Sequence, residues 1–264
     1  MDIRELKSTA DLKAVEEMQR IVWGSADLDI LSPLSLRASI ETGALLLGAF
    51  DGPTMAGFLY AFPGYHDGQI ELHSDMTGLR PEYRDRGLGY RLKLAQREWA
   101  LERGIPIVTW TFDPLRSRNA YFNFRKLGAI SSSYRVNFYG EDSTSFLHRN
   151  ATDRLWVTWE LDSARVRDRL GGLKPPPIDA PAVVSIGPEE EPVHHPVGMD
   201  SGQVSIHIPL DPDKLETALA VQWREVTRAT FQEWIGAGFT VTDAHLGRYL
   251  LEQRVERQGN PLTA

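Results

Sequence analysis

The chain has 264 residues, 42% of them hydrophobic and 25% charged, with seven tryptophans and no cysteine. That is enough apolar chain to bury the core of one large domain or two small ones, and the lack of cysteine excludes disulfides, a cysteine nucleophile and thiolate metal sites. The net charge of −7 argues against a general nucleic-acid binder; no run reaches the length of a membrane span, and Met1-Asp2-Ile3-Arg4-Glu5 lacks a signal peptide's apolar segment, so a cytoplasmic location away from membranes is expected.

Ser8-Thr9-Ala10-Asp11 has the form of a capping box, and Leu12, Val15, Met18 and Val22 follow it at helical spacing. Pro33 suits the first turn of a second helix running through Ile40. Ala44–Ala61 reads as two strands around the turn Asp51-Gly52-Pro53. Residues 68–79 read as a long strand, in which the alternation from Ile70 to Met76 puts Glu71, His73 and Asp75 on one face. A glycine turn follows, then a helix to about Arg103 with Leu88, Leu92, Ala95 and Trp99 along one side.

Ile105–Phe112 is rich in β-formers, residues 116–127 make a short helix stopped by Gly128, and Ser131–Tyr139 and Arg154–Leu161 read as strands. This order predicts an α+β domain over residues 1–162. The runs Lys174-Pro175-Pro176-Pro177 and Pro188-Glu189-Glu190-Glu191-Pro192 mark residues 163–202 as a linker or irregular segment. Residues 203–264 then form a C-terminal extension. It begins with a strand over Val204–Ile208, continues as a long helix from Asp213 to Trp234, and ends in a strand pair around Phe239–Val241 and Tyr249–Leu251.

The turn Arg84-Asp85-Arg86-Gly87-Leu88-Gly89 joins the long strand to the amphipathic helix. The first amides of a helix lack acceptors, and with the positive end of the helix dipole they attract an anion. Glycines let a phosphate approach the backbone closely. From Arg80 to Arg97 six basic residues (Arg80, Arg84, Arg86, Arg91, Lys93, Arg97) outnumber two acidic ones, a basic island suited to a polyphosphate ligand. A dinucleotide fingerprint would need a glycine where Leu92 stands, and no Gly-Lys-Ser/Thr follows, so a Rossmann turn and a P-loop are both rejected. His194-His195 lacks convincing ligand spacing, and no metal is expected.

Arg84–Gly89, led in by Leu79-Arg80-Pro81-Glu82-Tyr83, resembles the pyrophosphate-binding turn of the GNAT superfamily of acyl-CoA-dependent N-acyltransferases. Asn119–Ala129 is similar to that family's second signature, a helix ending in Lys-x-Gly-Phe. Trp110–Leu115 and Tyr134–Gly140 resemble a subgroup of predicted acetyltransferases with a long C-terminal extension.

The resemblance implies a mixed, mostly antiparallel central sheet flanked by helices, with a further α+β region at the C-terminus. It implies acetyl-CoA or another acyl-CoA as co-substrate, with the backbone of Thr77, Gly78 and Leu79 bonding the pantetheine arm as an added strand. The amides of Arg84, Asp85, Arg86, Gly87, Leu88, Gly89 and Tyr90 would hold the pyrophosphate, and Asn119 would contact or support the pantetheine. His73 stands eleven residues before Arg84, the place of a carboxylate base in some relatives, with Glu71 nearby. Many relatives carry a tyrosine acid where this chain has Phe124, which leaves Tyr121, one helical turn earlier, or water as proton donor. Asp113, Arg116 and Arg118, in the loop between strand and helix, are substrate-binding candidates, and an arginine there could clamp a carboxylate of the acceptor or of a succinyl group.

The expected activity is N-acylation of a small primary amine such as an amino acid. An acyl-CoA sensor with weak catalysis and a protein or peptide N-acetyltransferase are the alternatives, and homodimerisation is left open.

Overall fold

A computed structural model of the protein describes residues 1–66, 68–140 and 151–253. The chain divides into two compact units: Met1–Thr111 with Tyr139–Thr152 and Thr158–Ala164, and Phe112–Phe138 with Asp153–Val157 and Arg165–Ala264.

In the first unit a short strand β1 (Asp2–Glu5) precedes helices α1 (Thr9–Trp23) and α2 (Pro33–Glu41). The capping box forms: Ser8 Oγ accepts from the Asp11 amide and the Asp11 carboxylate accepts from the Ser8 amide, both at 3.1 Å. Arg4, 2.8 Å from Asp11, holds that carboxyl well below its usual range. Pro33 opens α2 behind a Ser32 cap, as its ring geometry favours.

Strands β2 (Leu45–Asp51) and β3 (Thr54–His66) form the expected hairpin, and β3 continues five residues past Ala61. Next come β4 (Gln69–Leu79), α3 (Leu88–Glu102) and β5 (Ile107–Phe112). The strand order is β1-β2-β3-β4-β5, antiparallel except for the β4–β5 pair. Val15, Met18, Leu36, Phe58 and Tyr60 belong to the core that α1 and α2 bury against the sheet.

The period-2 reading of β4 needs a correction. Phe62 of β3 pairs with His73, but Tyr60 pairs with Met76, so β4 carries one extra residue at Ser74–Asp75. Facing residues of an antiparallel pair share a face. Met76 therefore follows Glu71 and His73 on their face, and Asp75 falls out of that alternation.

The helical stripe on α3 is also rotated from the expected one. Leu88, Leu92, Lys93, Gln96 and Ala100 are its buried residues, whereas Ala95 and Trp99 are half-buried. Lys93, counted with the basic island in the sequence, lies inside.

The second unit begins with α4 (Ser117–Ala120), which passes into a π-helical turn over Tyr121–Lys126, so the expected helix at 116–127 is not uniform. Then come β6 (Ile130–Arg135), β7 (Arg154–Glu160, its last three residues in the first unit), α5 (Ala164–Leu170), β8 (Ala182–Ile186), β9 (Pro192–His194), β10 (Gln203–His207), α6 (Thr217–Gly236), β11 (Phe239–His245) and β12 (Arg248–Gln253). The strand order is β7-β6-β11-β12-β10-β8-β9.

The segment 163–202 thus contains a helix and two paired strands, with Pro175, Pro176 and Pro177 in the connection between α5 and β8 and Pro192 opening β9. β6 stops at Arg135, short of the expected Tyr139. Asn137 takes a left-handed φ of 46°, and its amide leaves the sheet to bond the Asp153 carboxylate at 3.0 Å.

Asp153 is fully buried. Its oxygens also accept from Tyr134 Oη at 2.8 Å and from the Arg228 guanidinium at 2.8 and 3.0 Å. These bonds to a cation, an amide and a phenol hold the Asp153 carboxyl below its usual range despite burial, whereas burial and the negative charge of Asp153 push the Tyr134 phenol far up. Removing the carboxylate leaves Arg228 and Tyr134 without their acceptor. Asp153→Ala is therefore expected to lower stability by about 3–5 kcal/mol, the range for breaking a buried charge pair, as measured by urea denaturation.

Candidate functional site

The strand–turn–helix segment of the first unit has a backbone shaped for an anion. A single 3-10 turn over Pro81–Tyr83 leads in; Asp85 and Gly87 then take left-handed φ values of 59° and 75°, and α3 begins at Leu88 with no side chain capping it. The amides of Leu88, Gly89 and Tyr90 consequently have no acceptor one turn back. An added Cβ at Gly87 would meet nothing within 4 Å, so the approach to these amides is open.

The cations around the turn differ in what they do. Arg80, Arg91 and Arg97 donate to the carbonyls of Met55, Met1 and Leu161 at 2.8, 2.9 and 2.8 Å. Arg84 and Arg86 are the exposed pair at the turn itself.

Upstream, Thr77, Gly78 and Leu79 pair with Leu59, Phe58 and Gly57 of β3 on one edge. On the other edge the parallel ladder to β5 joins Leu72 to Val108 and His73 to Thr109, and extends no further. The second edge of Thr77–Leu79 is thus left out of the strand pairing.

Where that ladder ends, three side chains line up. Thr109 Oγ1 donates to Glu71 Oε1 at 3.0 Å and lies 3.1 Å from His73 Nδ1. A carboxylate only accepts and a threonine hydroxyl has one proton. The His73 Nδ1 must therefore carry the hydrogen, which leaves the lone pair on Nε2. Burial, together with the positive charge of Lys93, pulls the His73 pKa down to about 4, so its imidazole is neutral at pH 7. The ring also packs at 5.4 Å from Phe62.

Opposite this group, on the α3 side of the sheet, is the buried Lys93. Its ammonium donates to Ser74 Oγ at 3.0 Å and Gln96 Oε1 at 2.9 Å, and lies 3.9 Å from the ring centroid of Trp110. Burial without a carboxylate partner pulls its pKa down to about 7.

The second unit holds the remaining candidates. Asn119 and Arg118 are exposed on α4, and Tyr121 is 36% exposed, its ring tilted against His245 with centroids 5.7 Å apart. Phe124, at the position of the relatives' tyrosine, is fully buried against Phe112 and Tyr249. Asp113 is engaged by Arg224 through two bonds of 2.8 and 2.9 Å and by the Leu115 amide at 3.0 Å, and Arg116 is paired with Asp213. The sequence reading brought His73 and Glu71 to one strand face but missed Thr109, Ser74, Lys93 and Gln96. The only signal for these was polar residues recurring at buried positions of β5 and α3.

The sequence profile of the Acetyltransferase (GNAT) family matches residues 12–129. Residues 12–129 are a GNAT acetyltransferase domain.

Three solved structures illustrate the likeness. The ribosomal-protein-S18-alanine N-acetyltransferase from Escherichia coli is 20% identical, with 62% of this chain and 95% of that one covered and a TM-score of 0.45. The smu.2055 protein from Streptococcus mutans UA159 is 18% identical, over 61% of this chain and all of that one, at 0.50. The putative acetyltransferase yncA from Salmonella typhimurium, solved with acetyl-CoA, is 16% identical over 62% and 95%, at 0.49. The Streptococcus likeness is one of fold. No curated protein matches the chain. Among the described residues no helix is long and apolar enough to cross a membrane.

The Lys93 geometry of this GNAT domain has a measurable consequence for stability. With a folded-state pKa near 7 against an ordinary value of 10.5, the unfolded chain binds more protons across that interval, so stability rises with pH from about 7 to 10.5. In Lys93→Met this contribution is absent. Urea denaturation at successive pH values is expected to show the wild-type rise flattened in the variant.

Proposed function

We propose that the protein transfers an acyl group, acetyl or a larger one such as succinyl, from an acyl-CoA to a primary amine of a small molecule such as an amino acid. Residues 1–162 carry the transfer in this reading. The chain Glu71–Thr109–His73 supports it most directly. The thioester supplies an activated acyl group; the protein must supply a neutral amine and a protonated leaving thiolate.

His73 Nε2 takes the proton from the amine, while Nδ1–H stays on Thr109 and the Glu71 carboxylate offsets the charge that develops on the imidazole. The amides of Leu88, Gly89 and Tyr90, with Arg84 and Arg86, neutralise the pyrophosphate, and the second edge of Thr77–Leu79 bonds the pantetheine amides. Asn119 supports the pantetheine and Tyr121 returns a proton to the thiolate. Arg116 and Arg118 are the candidates to clamp a carboxylate of the acceptor or of the acyl group, and Asp113 stays a substrate-binding candidate beside them.

A second reading, an acyl-CoA sensor, is favoured by the buried Phe124 in place of an acid. A matrix of acetyl-, succinyl- and longer acyl-CoAs against free amino acids, other small amines and peptides, read by free thiol, separates the readings. Thiol release with a free amine is expected. Release only with peptides points to a protein N-acetyltransferase, and a thermal shift with acyl-CoA but no release points to the sensor. No shift with any acyl-CoA would sink both.

His73→Ala is expected to lower kcat/KM by about 10²–10⁴-fold. Because His73 titrates at about 4 in the free protein, the acid limb it sets in kcat/KM should lie well below pH 6.5. A His73→Ala profile identical to wild type removes it as the base.

A further inference from the structure

Lys93 occupies a place that a leucine would fill at less cost. Its ammonium is buried, and its partners are all neutral: Ser74 Oγ, Gln96 Oε1 and the face of Trp110, with Trp159 at 6.0 Å. Burying a charge without a counter-ion is unfavourable, and a cation–π contact with two hydrogen bonds offsets only part of that. The position of those partners gives the residue a task. The parallel ladder between β4 and β5 joins Leu72 to Val108 and His73 to Thr109, and there it ends. The next residue on β4 is Ser74, which enters the bulge, and the next on β5 is Trp110. Lys93 touches both.

We infer that Lys93 is a positioning residue for the base assembly: by bridging Ser74 and Trp110 it fixes the spacing of β4 and β5 one residue beyond the His73–Thr109 pair, and so keeps His73 Nδ1 on the threonine hydroxyl. The role of His73 as base rests on the acyl-transfer reading above; the bridge itself does not. Among the described residues, the charged groups that bear on His73 are Lys93 from α3 and, through Thr109, Glu71 of its own strand; Asp75 lies in the bulge beyond it. β3 and β5 present the uncharged Phe62 ring and Thr109 hydroxyl, and α1 packs on β4 at Gly78 through Val22 and Trp23.

The test reads His73 directly in the ligand-free protein. ¹⁵N spectra are expected to show the Nδ1–H tautomer in wild type. In Lys93→Met they should show a mixed tautomer and a titration midpoint raised toward the ordinary histidine value. Steady-state assays should show kcat lowered about ten- to hundredfold, the scale of a small misplacement, with the KM for acyl-CoA within about threefold. Ser74→Ala keeps the ammonium but cuts the bridge, and should reproduce the tautomer and kcat changes; it decides the matter by the same signals if Lys93→Met does not fold. Unchanged His73 spectra and kcat in these variants, even with altered thermal stability, would overturn the inference. An absence of thiol release from the wild type would remove the acyl-transfer reading, and the His73 spectra would still decide the bridge.

Discussion

The backbone groups of a buried strand must find partners on both edges, and β4 meets that demand only along part of its length. Its β3 edge is paired to Leu79, with one interruption at the Ser74–Asp75 bulge, whereas its β5 edge is paired only at Leu72 and His73. The extra residue in the bulge turns the strand, so past Ser74 the ladder to β5 is not resumed. The features of the first unit that bear on chemistry follow from this one break. Glu71, His73 and Thr109 meet where the ladder ends, Lys93 reaches the same point from the opposite face, and the unpaired edge of Thr77–Leu79 leads straight into the glycine turn before α3.

The two units handle buried charge in different ways. In the second unit the buried carboxylates are matched by guanidiniums and amides: Asp113 by Arg224, Asp153 by Arg228 and the Asn137 amide, Asp243 by Arg125. Matched ions of this kind hold α6 and the connecting segments in one arrangement, because removing either partner strands the other. In the first unit the buried cation has neutral partners and the buried imidazole is kept uncharged. That is the condition under which a histidine accepts a proton at neutral pH.

How far the sequence could be read depended on how local the cause was. The capping box at Ser8, the proline start at Pro33, the β2–β3 turn and the glycine turn before α3 all involve bonds within a few residues, and each was legible. The end of β6 was not, because the Asn137 amide leaves the sheet for a carboxylate sixteen residues away. The face of β4 was misread at Asp75 because a bulge changes parity without leaving a mark on the composition. Lys93 was counted with the basic island because a lysine on an amphipathic helix is ordinarily exposed; Ser74 and Trp110, brought in by other strands, join Gln96 of its own helix in making its burial tolerable. The segment 163–202 looked irregular because its prolines are conspicuous, although all but Pro192, the first residue of β9, lie between elements.

By itself the sequence determined the order of the elements from α1 to β5, without the short strand β1 before them, and it offered the glycine turn as an anion site and His73 with Glu71 as base candidates. Each rests on periodicity, glycine and proline geometry, or helix-end amides, which are properties of short stretches of chain. The tertiary structure alone decided that Thr109 links Glu71 to His73, that His73 holds its hydrogen on Nδ1, and that Lys93 sits beneath the end of the β4–β5 ladder. Those outcomes depend on hydrogen bonds between residues far apart in the chain, and it is the register of two strands and the rotation of one helix that bring such groups to within 3.0 and 3.1 Å of each other.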